Sequence, residues 1–442
     1  MSGHWKTRAA AVLAGGPATY SKHWQRYPAN APLLLMSGSG CSVTTPDGHT
    51  YLDTVAALGP ILLGYNHPGV NNAVLAAVNM GPSFSTCTRL EIEVAEQLVR
   101  SVPGAEQVRF CVNGSDATNA AIRLARAVTG KAHVIVSGYS GFADWYIAST
   151  DKSRGILPGV GDFTHQIPWG DGVRLQDVLH DYNAKFSATD QTAVSDHLAA
   201  ILVEVPSRPW GEDPQEITNW LNVYRGTAHD RGALFILDEV VTGLRYGLGG
   251  AQALYGVEAD LVCLSKGLGN GYPIAALLGK RALMQEFGTG APFMSSTFAG
   301  NTIGLAAAQA TLEACTTTGA LATLRHYGHL LGSGLAALLR AYQLPGVLWG
   351  NFARMAVVWS EVLGVATAAQ LKTLWMQEMV RRGILIGPGV LFPMCCYHAT
   401  IVQGILAAAE ETCALMAACL GNMDVVSSLE SPVLHDVFQV RA

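Results

Sequence analysis

Between Gln107 and Lys280 the chain alternates short, nearly continuous apolar runs with longer stretches of helical spacing. "QVRFCVN", "HVIVSG", "LAAILVEV", "ALFILDE", "ADLVCLSK" and "YPIAALLGK" read as strands, whereas "DATNAAIRLARAVTG" and "EITNWLNVYRGTAHDRG" read as helices ending at Gly130 and Gly232. A strand buried on both faces loses the polar–apolar alternation of a half-exposed one, because neither face meets water. Such strands separated by helices predict an α/β fold with a mostly parallel sheet covered on both sides. Ligands of these sheets bind beyond the carboxyl ends of the strands. The residues that follow each apolar run are therefore the first place to look for chemistry.

The rest of the chain fits around this unit. With 442 residues, half of them hydrophobic, it is long enough for one large domain and a smaller companion. "GCSVTTPDGHTYLDTVAALGP" (Gly40–Pro60) reads as a hairpin turning at Pro46-Asp47-Gly48. "GVNNAVLAAVNM" and "LEIEVAEQLVRSV" have helical spacing. After about Ala320 a long helix, a strand-like "VLWGNFARMAVVWS" and two more helices predict a smaller α+β domain. The expected division is an N-terminal segment (1–60) that packs with the small domain and covers the site, a large domain (61–320) and a C-terminal small domain (321–442). "RAAAVLAGG", behind Lys6 and Arg8, reads as a helix of the mature protein rather than a signal peptide. The apolar stretches Gly304–Ala314 and Ile405–Leu420 carry Glu313, and Glu410 with Glu411, and are expected not to span a bilayer. Charged residues make up 14% of the chain and the formal net charge is −5 with no basic run, so a nucleic-acid partner is not expected. Nine scattered cysteines without a C-x-x-C pair read as reduced thiols of a cytoplasmic protein.

Four features follow apolar runs in the large domain. "VNGSDATNAA" places Asn113, Gly114, Ser115 and Asp116 at a helix start, where the amides of Gly114, Ser115 and Asp116 and the Ser115 hydroxyl would suit a phosphate. Ser115 or Asp116 as an ordinary helix cap is the plain alternative. Tyr139, between Gly138 and Gly141, could stack on a planar ligand or simply pack. Asp238 ends "LFILD" and needs a positive or donating partner, either a salt bridge or a protonated pyridine nitrogen. Lys266 ends the next apolar run, 28 residues later. Burial would favour its neutral amine, which can condense with an aldehyde. Together the four describe a site for a planar, phosphorylated pyridine aldehyde, pyridoxal 5′-phosphate (PLP).

The blocks "DGHTYLDTVAALGPILLGYNHPGV", "RFCVNGSDATNAAIRLARAVTGK", "LDEVVTGLRYGLGGAQALYGVEADLVCLSKGLGNGYPIAALLGK" and "STFAGNTIGLAAAQATLE" resemble, in order and spacing, the class III PLP-dependent aminotransferases of fold type I. Within them the chain is most similar to the glutamate-1-semialdehyde 2,1-aminomutase-like branch. The resemblance covers nearly the whole chain. It implies a large domain built on a seven-stranded, mostly parallel sheet with a smaller α+β domain. It also implies a Schiff base and proton shuttle at Lys266, a pyridine partner in Asp238, and Val240 against the ring face opposite the substrate. Gly114 and Ser115 would hold the phosphate, and Tyr139 would stack on the ring. Glu204 would lie at the site, and Thr297 would reach the phosphate of the other subunit's cofactor in a homodimer with shared sites. Three positions depart from the family pattern: Tyr139-Ser140-Gly141 stands for Tyr-His-Gly, Val205 follows Glu204 in place of proline, and Gly114-Ser115-Asp116-Ala117 replaces Gly-Thr-Glu-Ala. With "FADWY" and "NGYPI", this form resembles a sub-branch acting on sugars or other specialised substrates.

The function expected is amino-group transfer between an amine or amino acid and a carbonyl acceptor. The alternatives are a 2,1-aminomutase acting on glutamate-1-semialdehyde or a related amino aldehyde, and a PLP-dependent racemase or decarboxylase. A non-catalytic dimeric scaffold is the reading from another class, and it would have no use for both Asp238 and Lys266. A carboxylate substrate is usually clamped by an arginine fork. "GPGVLFPMCCYHAT" has no arginine, nothing fixes the direction of Arg26, and Arg245 reads as structural. A dicarboxylic substrate held by two such forks is therefore not expected.

Overall fold

The computed structural model describes residues 2–181, 194–387 and 389–434. The chain divides into two compact units. One comprises Pro68–Pro206 and Asp213–Thr318. Its centre is a sheet of seven strands: β1 (Gln107–Cys111), β2 (His133–Ser137), β3 (Thr164–Gln166), β4 (Leu198–Val203), β5 (Leu234–Glu239), β6 (Leu261–Leu264) and β7 (Ala275–Gly279), in the order β1-β7-β6-β5-β4-β2-β3. The five strands from β6 to β3 run parallel. β7 is antiparallel to both its neighbours. Its sequence looks like the others, but the link from β6 is too short to carry a crossover helix, and a short link permits only an antiparallel return.

Every residue of β2 and β4 is buried, as their unbroken apolar sequences require. Burying one Leu, Ile or Val side chain contributes about 1.5–3 kcal/mol, so these two strands anchor the unit. The Gly114–Thr129 helix covers one part of the sheet through Ala117, Ala120, Ala121, Leu124 and Ala125. Its small side chains let the helix backbone sit close to the strands. Gly130, in the left-handed region with a φ of 66°, ends it where expected. The Gln215–His229 helix stops short of the expected Gly232. β3 escapes sequence reading because "THQ" has neither an apolar run nor alternation.

The other unit takes in the chain up to His67, Ser207–Glu212 and the chain from Gly319. The Gly40–Pro60 hairpin is present: Ser42–Thr44 pairs antiparallel with Thr50–Asp53 across a turn in which Gly48 takes a φ of 87°. Ser37–Ser39 and Ile384–Leu385 complete a four-stranded sheet. "VLWGNFARMAVVWS" forms the hairpin Gly346–Asn351/Arg354–Trp359. Ser207–Glu212 leaves the first unit to join this hairpin, where Trp210 N donates to Leu348 O at 2.8 Å. The helices are Ala320–Ala341, Ala368–Arg381 and Ala399–Asn422. By length and composition the last is apolar enough to cross a membrane, despite Glu410 and Glu411, because the two charges leave an 18-residue window of mean hydropathy 1.4. Its Val402, Ile405, Ala409, Cys413 and Met416 are buried within this unit. All nine cysteines are free thiols, seven of them buried.

Candidate active site

Sheet register brings four expected residues to one edge. Ser137 pairs with Val203, Val203 with Leu237, and Asp238 with Cys263. Tyr139, Glu204, Asp238 and Lys266 therefore stand at the carboxyl ends of the neighbouring strands β2, β4, β5 and β6.

Asp238 is 3% exposed. Burial, reinforced by the negative charge of Glu204, pushes its carboxyl up to about 7. The Val240 amide, which donates to Oδ1 at 3.1 Å, and the Lys266 charge act against that rise. A carboxyl in this state gains from any further cation or donor brought to it. Glu239, the next residue, is equally buried but fully engaged. Its Oε2 accepts from Ala251 N at 2.6 Å and from the Thr242 hydroxyl at 3.0 Å, and its Oε1 accepts from Gln252 N at 3.2 Å. It ties the start of the Gly250–Tyr255 helix to β5.

Lys266 follows β6 and opens the short turn Lys266–Gly269. It is half-buried, with a φ of 44°. A non-glycine residue held in the left-handed region is strained, and such strain concentrates at functional sites. In this chain it fixes where the lysine side chain leaves the backbone.

The expected anion cradle is present in altered form. The helix cap is Asn113, neither Ser115 nor Asp116. Asn113 Oδ1 accepts from Asp116 N at 3.1 Å, so that amide is used and the cradle keeps the amides of Gly114 and Ser115. A Cβ on Gly114 would stand 2.7 Å from Val240 Cγ1, so only glycine lets this turn approach Val240. Ser115 Oγ accepts from Phe142 N at 3.2 Å, which ties the cradle to the 138–142 loop.

That loop is pinned at several points. Tyr146 Oη donates to Gly138 O at 2.9 Å, and Tyr139 N donates to Glu204 Oε2 at 3.3 Å. The Thr118 hydroxyl donates to Ser140 O at 2.9 Å. Gly141, with a φ of 100°, packs so tightly on Ser115 that any side chain there would collide with it. The Tyr139 ring is 52% exposed and held edge-on to Tyr146, with centroids 5.7 Å apart. Seven of the eight expected residues thus form one connected group. Thr297 is exposed on the turn before the Thr302–Thr317 helix, and no hydrogen bond links it to the group among the described residues. Arg245 is fully buried, in keeping with a structural role. Sequence reading misses Asn113 as the cap and sees Ser140 only as a departure from a family pattern; neither polar residue announces its burial or partner.

These residues fit pyridoxal 5′-phosphate. Two helix-start amides and a hydroxyl form an anion cradle. At the end of β5, next to the Val240 that packs on this cradle, a buried carboxyl that any further cation would stabilise suits a pyridinium. A partly exposed ring and a valine stand at the same edge, and a lysine ends the adjacent strand.

The comparisons with known proteins agree. The family model "Aminotransferase class-III" matches residues 25–386. The glutamate-1-semialdehyde 2,1-aminomutase of Roseiflexus castenholzii is 33% identical over 401 residues, covering 86% of this chain and 90% of its own. The protein of the same name from Methanothermobacter thermautotrophicus is 31% identical over 424 residues, covering 91% and 96%. Among solved structures, a transaminase with PLP bound superposes with a TM-score of 0.82 at 25% identity, covering 95% of this chain and 98% of that one. An omega-transaminase from Sphaerobacter thermophilus gives 0.80 at 24% identity over 93% and 97%, a likeness of fold alone.

Proposed function

The chain belongs to the class III aminotransferase family of PLP-dependent enzymes, and from that premise we propose that it is an aminotransferase acting through Lys266. The observation that carries the proposal is the pairing of Asp238, buried at the end of β5, with Lys266, at the end of the adjacent β6. When bound, the cofactor supplies an aldehyde that links to amines and an electron-poor ring that stabilises negative charge on the neighbouring carbon. Asp238 would set its charge against the pyridine nitrogen and so keep the ring electron-poor. Gly114 N, Ser115 N and Ser115 Oγ would hold the phosphate. Tyr139 and Val240 would cover the ring. Lys266 Nζ would hold the aldehyde and would serve as the base that takes and returns the proton of the amine-bearing carbon. Glu204 fixes the backbone of Tyr139.

The proposal includes a cytoplasmic homodimer in which Thr297 of each subunit completes the other's site. Free thiols throughout support the compartment. Exposed Leu75, Met80, Phe84, Phe293 and Phe298, in the unit that carries Thr297, support a covered surface. A second reading, intramolecular 2,1-amino transfer, is favoured by the names of the curated relatives. The test is a screen of single amines against single keto acids, followed through cofactor absorbance and product. Turnover of a donor–acceptor pair supports the aminotransferase. Isomerisation of an amino aldehyde, with no pair turned over, overturns it in favour of the second reading.

A further inference from the structure

Beyond β6 the backbone ladder with β7 ends at the pair Leu264–Ala276. The chain then turns back to β7 through a tight loop in which three residues lie in the left-handed region. They are Lys266 and Asn270, each with a φ of 44°, and Gly271 with a φ of 103°. Glycine adopts that region freely, and asparagine more readily than most residues, so positions 270 and 271 suit their conformations. Lys266 does not. A long side chain on a left-handed backbone persists only where the surroundings hold it there.

Ser265, the residue before it, supplies such a hold. Its Oγ donates to Ile274 O at 2.9 Å. This bond lies just past the end of the ladder, so a side chain carries the link between the two strands on where the backbone leaves it. On its other side Ser265 O accepts from Leu268 N at 3.0 Å, which closes the Lys266–Gly269 turn. Ile274 is 2% exposed, and a Cβ on Gly269 would stand 2.9 Å from its Cγ2. The serine hydroxyl is thus anchored to packed backbone at the start of β7, and the peptide between Ser265 and Lys266 is tied at both ends of the loop.

We propose that Ser265 is a positioning residue for Lys266: its hydroxyl, bonded to Ile274 O, holds the lysine backbone in the left-handed conformation from which the amine reaches the cofactor's aldehyde. The inference rests on the PLP reading above and adds a residue to it. Ser265 acts through Lys266 and takes no part at the reacting atoms. Without the hydroxyl, the strained backbone at position 266 is free to relax, and the side chain then leaves the chain in another direction.

The test is a double-mutant cycle on the full-length protein, with PLP itself as the probe. Wild type, Ser265→Ala, Lys266→Ala and the double variant are stripped of cofactor and reloaded. PLP retention is measured, together with the fraction of cofactor that borohydride fixes to the peptide containing Lys266. Loss of the hydrogen bond in Ser265→Ala should weaken retention about fivefold and lower the fixed fraction. In the Lys266→Ala background the same change should alter retention by less than about twofold, since the residue it serves is gone. Ser265→Thr keeps the hydroxyl and should retain PLP within about twofold of wild type. Equal losses in both backgrounds, wild-type behaviour of Ser265→Ala, or a Ser265→Thr as impaired as Ser265→Ala would overturn the proposal. Ser265→Gly provides a second removal of the hydroxyl. If neither Ser265→Ala nor Ser265→Gly folds, Ser265 is structural and the proposal falls. A wild-type protein that retains no PLP sinks the functional reading itself, whereas wild-type retention matched by Ser265→Ala sinks this inference alone.

Discussion

Asp238 and Glu239 are consecutive on β5, both sealed from solvent, and they face opposite sides of the sheet with opposite fates. Glu239 is satisfied by three donors that fix the Gly250–Tyr255 helix. Burial raises both carboxyls to about 7, and Asp238 holds the Val240 amide where Glu239 holds three donors. A pair of acids that sequence alone cannot separate is thus divided by structure into a helix tether and a carboxyl at the candidate site.

The first prediction uses that division. Glu239→Gln should lower the melting temperature by several degrees, because an amide cannot accept from all three donors that the buried carboxyl satisfies and a buried donor left unpaired costs about 1–3 kcal/mol, and should leave PLP spectra near normal. Asp238→Asn should do the reverse: amino transfer falls at least a hundredfold with little loss of fold. Calorimetry and turnover on the two variants decide the matter. Matching losses of stability and rate in Asp238→Asn would make that aspartate structural.

A related prediction concerns pH. The folded value of Asp238 is raised from 3.8 to about 7, so between those pH values the folded state holds a proton that the unfolded chain has released. Stability from this group is therefore complete below about pH 4 and is lost as pH rises through 7. Cofactor-free Asp238→Asn should melt close to wild type at pH 5 and a few degrees above it at pH 8. A variant that melts lower at pH 8 contradicts the assignment. The expected pairing of lost activity with gained stability is the signature of a group held in place for function.

How much of this was legible in the chain differs from residue to residue. β2, β4, β5 and β6 announce themselves because burial on both faces demands unbroken apolar runs. Lys266 and Asp238 stand out because each ends such a run. β3 is a three-residue edge strand, too short to impose a pattern. The reversed direction of β7 depends on the length of its connection, which its own residues do not encode. The excursion at Ser207–Glu212 adds one bridge to the 346–359 hairpin and carries no periodicity. Asn113 and Ser140 are hidden for a different reason: a small polar residue after a strand looks the same whether it caps a helix, faces solvent or is sealed in a site.

His133 and His165 supply an acid-side prediction. Their rings stand 2.9 Å apart, Nδ1 to Nε2, on β2 and β3. Burial pulls both down to about 4, with His197, Arg126 and Arg174 adding to the effect and Asp181 opposing it. Between pH 6.5 and 4 the unfolded chain binds more protons than the folded one, so their contribution is complete above 6.5 and is lost as pH falls towards 4. Replacing His165 by Gln should flatten the loss of melting temperature between pH 6.5 and 4.5. An unchanged slope would assign the acid sensitivity elsewhere.

The shared-site proposal gives a complementation test. A Lys266→Ala subunit and a Thr297→Ala subunit are each expected to be impaired by themselves. In a mixed dimer, one site would receive intact Lys266 and intact Thr297 and the other would receive neither. Activity should return towards half the wild-type value per dimer. Verified heterodimers without recovery would remove Thr297 from the neighbouring site.

The last prediction separates the two reactions this site could run. Under the proposed roles both would need Lys266 to move one proton from the amine-bearing carbon and Asp238 to keep the ring electron-poor, so a variant at either residue does not distinguish them. They differ in what becomes of the nitrogen. An aminotransferase releases a carbonyl product and keeps the amino group on its cofactor until an acceptor arrives. An aminomutase holds the intermediate and returns the nitrogen to the neighbouring carbon. Giving the PLP-loaded protein one amine and no acceptor exposes the difference. Transamination should yield about one carbonyl product per site and an absorbance change that persists until a keto acid is added. The change should also depend on Lys266, with Lys266→Ala slowing it by a thousandfold or more while still retaining PLP non-covalently. Borohydride should fix the cofactor to the wild-type peptide that contains Lys266 and to no other. If glutamate-1-semialdehyde instead gives an isomer of equal mass and the absorbance returns unaided, the reaction is intramolecular, and the curated relatives name it better than the solved transaminases do.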